Sequence, residues 1–244
     1  MELNNEDCIA GITKKDDESI DLVFCDLPYG CTACPWDKKL DLKALSEQLL
    51  RVAKNEAPII FTTTYLFSLD IIEAMGRKYF KYIMVWDKLN HTTPYLAKIR
   101  PLKRHEIVMV FYKKQPKIYK RKIEEYHTEY TTKPLTSSRE GGIYDKRDAN
   151  PSKLIKTYKK KLPQSILQIK NPSKAKKLNS TSKPIELIEF FLKYYTDENM
   201  TVLDPTMGSG STGIACINMK RNFIGYELDE TQYAQAVKRI NEHN

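Results

Sequence analysis

No stretch of this 244-residue chain stays apolar for the ~18 residues that a membrane span needs. Its opening residues, Met1 to Asp7, have no signal-peptide character. Both absences set the expectation of a cytoplasmic protein that makes no membrane contact. Cysteine is sparse: Cys8, Cys25, Cys31, Cys34 and Cys216 are too few for a disulfide framework in a chain this long. Cys31 and Cys34 have redox or zinc spacing, yet no second close pair exists to complete four ligands. They read as reduced thiols in a loop, and no metal is expected. His91 and His105 lack metal-ligand spacing as well, and no internal repeat is visible.

What is present is the composition of a soluble globular protein, 41% hydrophobic and 29% charged, of one domain's length. The net charge of +9 is uneven. Residues 113–183 hold 20 Lys and Arg against 6 Asp and Glu, while the rest of the chain holds 20 against 25. The basic excess therefore sits in one segment of a mildly acidic body. That segment also carries Tyr119, Tyr126, Tyr130, Tyr144 and Tyr158, which favours a polyanion partner over a plain solvated tract.

Hydrophobic periodicity divides the chain into alternating short apolar runs and amphipathic stretches, the pattern of a doubly wound α/β sheet. Strands are expected at 20–25, 58–62, 79–86, 106–112, 202–204 and 222–227. Helices are expected from Asp41, from Tyr65 to Met75 before Gly76, after Pro184, from Ile214 to Met219, and over the tail from Asp229. Asn90 to Pro94 with Lys98, Arg100, Lys103 and Arg104 reads as a polar loop at the sheet edge. Between Lys113 and Leu178 periodicity breaks down among five prolines and Gly141-Gly142, so 114–178 reads as a basic insert between two halves, 1–113 and 179–244.

Two stretches carry chemistry. Ile20 to Cys25 runs as a buried strand into Asp26-Leu27-Pro28-Tyr29-Gly30, placing an acid, a rigid bend and an aromatic ring at a strand's carboxyl end, where open α/β sheets bind ligands. The loop that follows holds Trp36, which fits either a stack on a nucleic-acid base or a ring pinning the loop to the core. Far along the chain, Val202-Leu203-Asp204-Pro205-Thr206-Met207-Gly208-Ser209-Gly210 is a strand entering a glycine-rich turn and a helix. Gly208 and Gly210 let backbone approach a ligand, and the helix N-terminus offers free N–H groups. A phosphate-binding loop is disfavoured, because Ile214 and Ala215 stand where its Lys-Ser/Thr pair belongs. Glu227 ends the next strand, about 20 residues after the turn, where dinucleotide folds hold ribose hydroxyls.

The first stretch resembles the Asp-Pro-Pro-Tyr motif of the methyltransferases that modify exocyclic amino groups of DNA bases, and the second resembles their S-adenosylmethionine site. With Thr181-Ser182-Lys183-Pro184 between insert and turn, the order is similar to that of the β-class adenine-N6/cytosine-N4 enzymes. The resemblance implies a seven-stranded, mostly parallel Rossmann-like sheet with one antiparallel strand at 106–112, and a target-recognition role for the basic insert. It implies Asp26, Leu27, Pro28 and Tyr29 as the catalytic group, with Tyr29 stacking on a flipped base. Asp7, Asp26, Thr181, Lys183, Asp204, Thr206, Gly208, Gly210 and Glu227 would hold the cofactor. Asp7 equally fits a helix cap. Asp at the first motif position is, within the family, the adenine form. The departures are Glu6 for a usual Gly, Leu27 for Pro and Asn179 for His. Double-stranded DNA is the implied partner, with room left for a homodimer and for a partner nuclease. A cytosine-N4 DNA or RNA base methyltransferase on the same fold, or a catalytically silent nucleic-acid-binding relative, are the alternatives.

Overall fold

The computed structural model describes residues 1–28, 40–92, 94–130, 156–158, 162–171 and 182–243. Its centre is an eight-stranded sheet in the order β1-β10-β9-β2-β3-β5-β4-β8. The strands are β1 (Glu2–Asn4), β2 (Leu22–Cys25), β3 (Ile59–Thr63), β4 (Phe80–Thr92), β5 (Lys103–Phe111), β8 (Ile166–Gln168), β9 (Thr201–Asp204) and β10 (Asn222–Tyr226). Every neighbour pair runs parallel except the two that involve β5. A separate pair, β6 (Thr128–Tyr130) and β7 (Lys156–Tyr158), is antiparallel.

Strand alternation explains why both faces are covered. Leu22, Phe24, Ile60, Val108 and Val110 enter one core with α5 (Ile185–Tyr195), α6 (Ser211–Asn218) and α7 (Glu230–His243). Val23, Cys25, Ile59, Phe61, Met109 and Phe111 face the other way, onto α1 (Cys8–Thr13), α2 (Leu42–Val52) and α3 (Tyr65–Met75). A period of two that is apolar on both phases is what a central strand of a two-layered sheet requires. The caps follow the local chemistry: the Asp41 carboxylate accepts from Ala44 N–H at 3.0 Å, and Gly76, at φ +85°, closes α3.

Three differences from the expected fold have physical causes. The sheet has eight strands rather than seven, because β8 adds to β4 from within 114–178. A three-residue strand with only Leu167 buried leaves no periodicity to read; it is held by Val85 N–H on Ser165 O and by Trp86 Nε1 donating to Ile169 O at 2.8 Å. The same tract contains α4 (Lys117–His127), whose Tyr119, Ile123 and Tyr126 pack on the core; Tyr119 stacks on Tyr195 at 5.0 Å. Finally, β4 continues to Thr92, so Asn90 and His91 are strand rather than loop. Arg104 crosses from β5 to grip Asp87 at 2.6 and 2.7 Å, and that grip holds Asp87 down to about pKa 2. Lys98 and Arg100 lie in the turn beyond, exposed.

Candidate active site

The winding of the sheet reverses between β9 and β2, which pair in parallel through Leu22–Val202 and Val23–Leu203. Helical connections lead outward from this seam in both directions, so a crevice opens at the carboxyl ends of the two strands. Asp26 follows β2 and Asp204 ends β9, placing two stretches 178 positions apart in the sequence side by side. The Thr206 hydroxyl donates to the Asp26 carbonyl at 3.1 Å and ties them together.

The glycine turn is closed by its own bonds. Asp204 is buried; one oxygen accepts Thr206 N–H at 3.0 Å and the other the Thr212 hydroxyl at 2.5 Å. Burial still dominates and pushes this carboxyl up to about 7. Gly208 and Gly210 have φ of +48° and +75°, in the region that favours glycine. A Cβ on Gly210 would stand 2.9 Å from Ile240 Cδ1, whereas one on Gly208 would meet nothing closer than 3.9 Å, so Gly208 borders open space. Glu227 accepts from Gly208 N–H at 3.0 Å and Asp229 N–H at 2.9 Å, one on each oxygen. A carboxylate offers about four acceptor sites, so capacity remains for an incoming hydroxyl. Burial raises the Glu227 carboxyl, partly countered by those two N–H groups. Arg239 reaches from α7 to Ser209 O at 2.8 Å, and the Ser209 hydroxyl meets that of Ser182 at 2.7 Å, joining the turn to the segment before α5.

The end of β2 is held by charge instead. Asp26 accepts from the Thr62 hydroxyl at 2.7 Å on one oxygen and from the Lys183 ammonium at 2.6 Å on the other. Lys183 also lies 3.6 Å from Glu106, within β5, and Glu106 pairs with Lys88 on β4. Burial pushes Glu106 up, but Lys183 and Lys88 outweigh it and hold the carboxyl below its usual range. The Leu27 side chain is buried in the core, and Pro28 borders the crevice half-buried.

Of the residues expected here, Asp26, Leu27, Pro28, Lys183, Asp204, Thr206, Gly208, Gly210 and Glu227 gather along this edge. Asp7 stands at the end of β1 and caps α1 through Ala10 N–H at 2.9 Å, with its other carboxylate oxygen uncommitted to that cap. Tyr29, Trp36, Cys31, Cys34 and Thr181 lie outside the described residues. Sequence reasoning missed Thr62, Lys88 and Glu106. The available signal was Glu106 itself, a single carboxylate heading the apolar run Ile107–Phe111.

A family profile described as DNA methylase matches residues 20–238. This chain belongs to that DNA methylase family. Among curated relatives, the type II methyltransferase M.HindIII of Haemophilus influenzae is 37% identical over 76 residues, 31% of this chain and 25% of that protein. The chain thus spans about a quarter of that relative's length. M1.MboII of Moraxella bovis is 23% identical over 96% of this chain and 94% of its own. Among solved structures, the M1.HpyAVI–SAM complex superposes with a TM-score of 0.66 at 20% identity, covering 98% of each chain. The PvuII DNA methyltransferase, described as cytosine-N4-specific, gives 0.65 at 17% identity over 99% of this chain and 90% of its own. The cofactor of the family is S-adenosylmethionine. The residues along this edge fit it: Glu227 has acceptor capacity for ribose hydroxyls and Gly208 leaves room beside the turn. No helix among the described residues is long and apolar enough to cross a membrane.

Proposed function

We propose that this methylase transfers a methyl group from S-adenosylmethionine to the exocyclic N6 of an adenine flipped out of duplex DNA. The observation that carries the reading is the seam: the acid after β2 and the glycine turn after β9 share one edge, bonded through Thr206 and Asp26. When bound, the cofactor supplies an electrophilic sulfonium methyl. Thr206, Gly208, Gly210, Asp204 and Glu227 would hold it, with Asp7 at one flank.

The exocyclic amine is a poor nucleophile because its lone pair is delocalised into the ring. An Asp26 oxygen and the Leu27 carbonyl accept its two N–H bonds, and Pro28 keeps both acceptors on a rigid bend. Drawing on those bonds turns the nitrogen toward tetrahedral geometry as positive charge develops on it. Asp26 and Leu27 would hold the nitrogen in line for the methyl that the bound cofactor would supply, its sulfur keeping the electron pair, and would keep their hold as the nitrogen gives up a proton. Tyr29 stacks on the extruded base. The choice of adenine over cytosine rests on Asp at position 26, the adenine form in the resemblance.

The basic tract within 114–178 is read as the target-recognition region that grips the phosphates. Alanines at Lys159, Lys160 and Lys161 should flatten the slope of log affinity against log salt by up to about 2.7, at roughly 0.9 per phosphate contact. The function itself is tested by incubating the protein with labelled cofactor and long unmethylated duplex DNA or RNA, then analysing nucleosides. N6-methyladenine from DNA is expected. N4-methylcytosine, or label in RNA alone, would overturn it.

A further inference from the structure

Asp26 enters the crevice with both carboxylate oxygens already engaged, by Thr62 at 2.7 Å and by Lys183 at 2.6 Å. A base amine that donates to Asp26 meets a carboxylate whose charge the Lys183 ammonium already neutralises, and it finds the acceptor at full strength only if that charge gives way. Thr62 is fully buried within β3 and has nowhere to go. Lys183 has a second acceptor at hand. Glu106 Oε2 lies 3.6 Å from its ammonium, is shielded from solvent and accepts no hydrogen bond, while Lys88 holds the other Glu106 oxygen.

We propose that Lys183 is a movable counterion, handed from Asp26 to Glu106 when the target base enters, with Glu106 the positioning residue that receives it. The inference rests on the reading of Asp26 as the acceptor of the base amine. Two features favour a handover over a static ion pair. The exchange replaces one buried charge-assisted bond by another, so no ammonium is stranded, whereas stranding one would be costly. It also fills the one Glu106 oxygen left without a donor, so the resting state and the base-bound state are matched in their bonds. Its consequence is electrostatic. An ammonium on Asp26 cancels the negative potential that the developing positive charge on nitrogen needs, and moving it to Glu106 restores that potential in the transition state.

Glu106→Gln removes the receiving charge and keeps the shape. Single-turnover methyl transfer to long unmethylated duplex DNA should fall at least thirtyfold at saturating DNA and cofactor. The DNA concentration giving half-maximal rate and the calorimetric cofactor affinity should both stay within about twofold. The decisive arm is the double variant Glu106→Gln with Lys183→Met. With the Lys183 ammonium removed, transfer should recover at least fivefold over Glu106→Gln alone, the opposite of what accumulated structural damage gives. If Glu106→Gln does not fold, Glu106→Asp, which keeps the charge but draws it back, takes its place and should be relieved by Lys183→Met in the same way. Parental turnover in the Glu106 variant, or a double variant no faster than the single one, would overturn the handover. Asp26→Ala is run alongside: if it transfers at the parental rate, the reading of Asp26 itself falls. If it is inactive while the Glu106 arms fail, only the handover falls.

Discussion

The two sides of the seam are built on different physics. On the β9 side, the glycine turn is fastened by short-range bonds that leave it one shape: both Asp204 oxygens filled, Glu227 clasping Gly208 and Asp229, and Gly210 pressed on Ile240. On the β2 side, Asp26, Lys183, Glu106 and Lys88 form a row of alternating charges with one carboxylate oxygen lacking a donor. A cofactor site benefits from a fixed cradle, because ordering it on binding would subtract from affinity. A site that must admit a base and then meet a growing charge benefits from a charge that can be reassigned. The first side is rigid by matching and the second adjustable by one mismatch.

That contrast can be broken most severely at Asp26. Asp26→Ala should cost on the order of 10²–10³-fold in single-turnover methyl transfer while cofactor affinity holds, as expected when a transition-state contact is lost. Asp26→Asn, which keeps an acceptor without the charge, should fall between Ala and the parent. A matching loss of cofactor affinity would show that the two sides are not separable.

Glu227→Ala attacks the other side. It removes the partner of two backbone N–H groups and the acceptor for the ribose, and should weaken cofactor binding by about 1.5–3 kcal/mol, roughly ten- to a hundredfold. Calorimetry showing parental affinity would reduce Glu227 to a cap of α7. Gly210→Ala tests whether the cradle is set by backbone conformation. A left-handed φ costs a side chain about 1–2 kcal/mol, and the Cβ must also push Ile240 aside, so the unfolding midpoint should drop. An unchanged midpoint would mean the turn can relax.

The smallest expected effect is on pH dependence. Asp204 ionises near 7 when folded, against an ordinary value of 3.8. Between those values the folded chain binds the extra proton, so stability should fall as pH rises through this window and level off above it. Asp204→Asn has no proton to release, so denaturant titrations between pH 4 and 7 should show a flatter profile. An equally steep profile would place the titration on another group.

The seam itself was legible without coordinates because each half announces its own local grammar: an apolar run, then Asp26-Leu27-Pro28, and another, then Asp204 to Gly210. Caps at Asp41 and Gly76 were legible for the same reason, since their chemistry acts within one turn of chain. By contrast β8 and α4 went unread, because a short strand or helix in a basic tract takes its identity from the surface it lands on. Leu167 is buried against β4, and Tyr119 is half-buried against Tyr194 and Tyr195.

Sequence by itself determined the two-faced apolar strands, the acid at the end of β2, the glycine-rich turn and the acid at the end of β10, all written in contiguous residues whose side-chain periods and backbone freedoms are local properties. Tertiary structure alone decided that Glu106 and Lys88 belong to the site and that Asp26 shares Lys183 with Glu106. Those residues come from the end of β2, from β4 and β5 and from the segment before α5, and the energies that join them depend on distance and burial, which no spacing along the chain encodes.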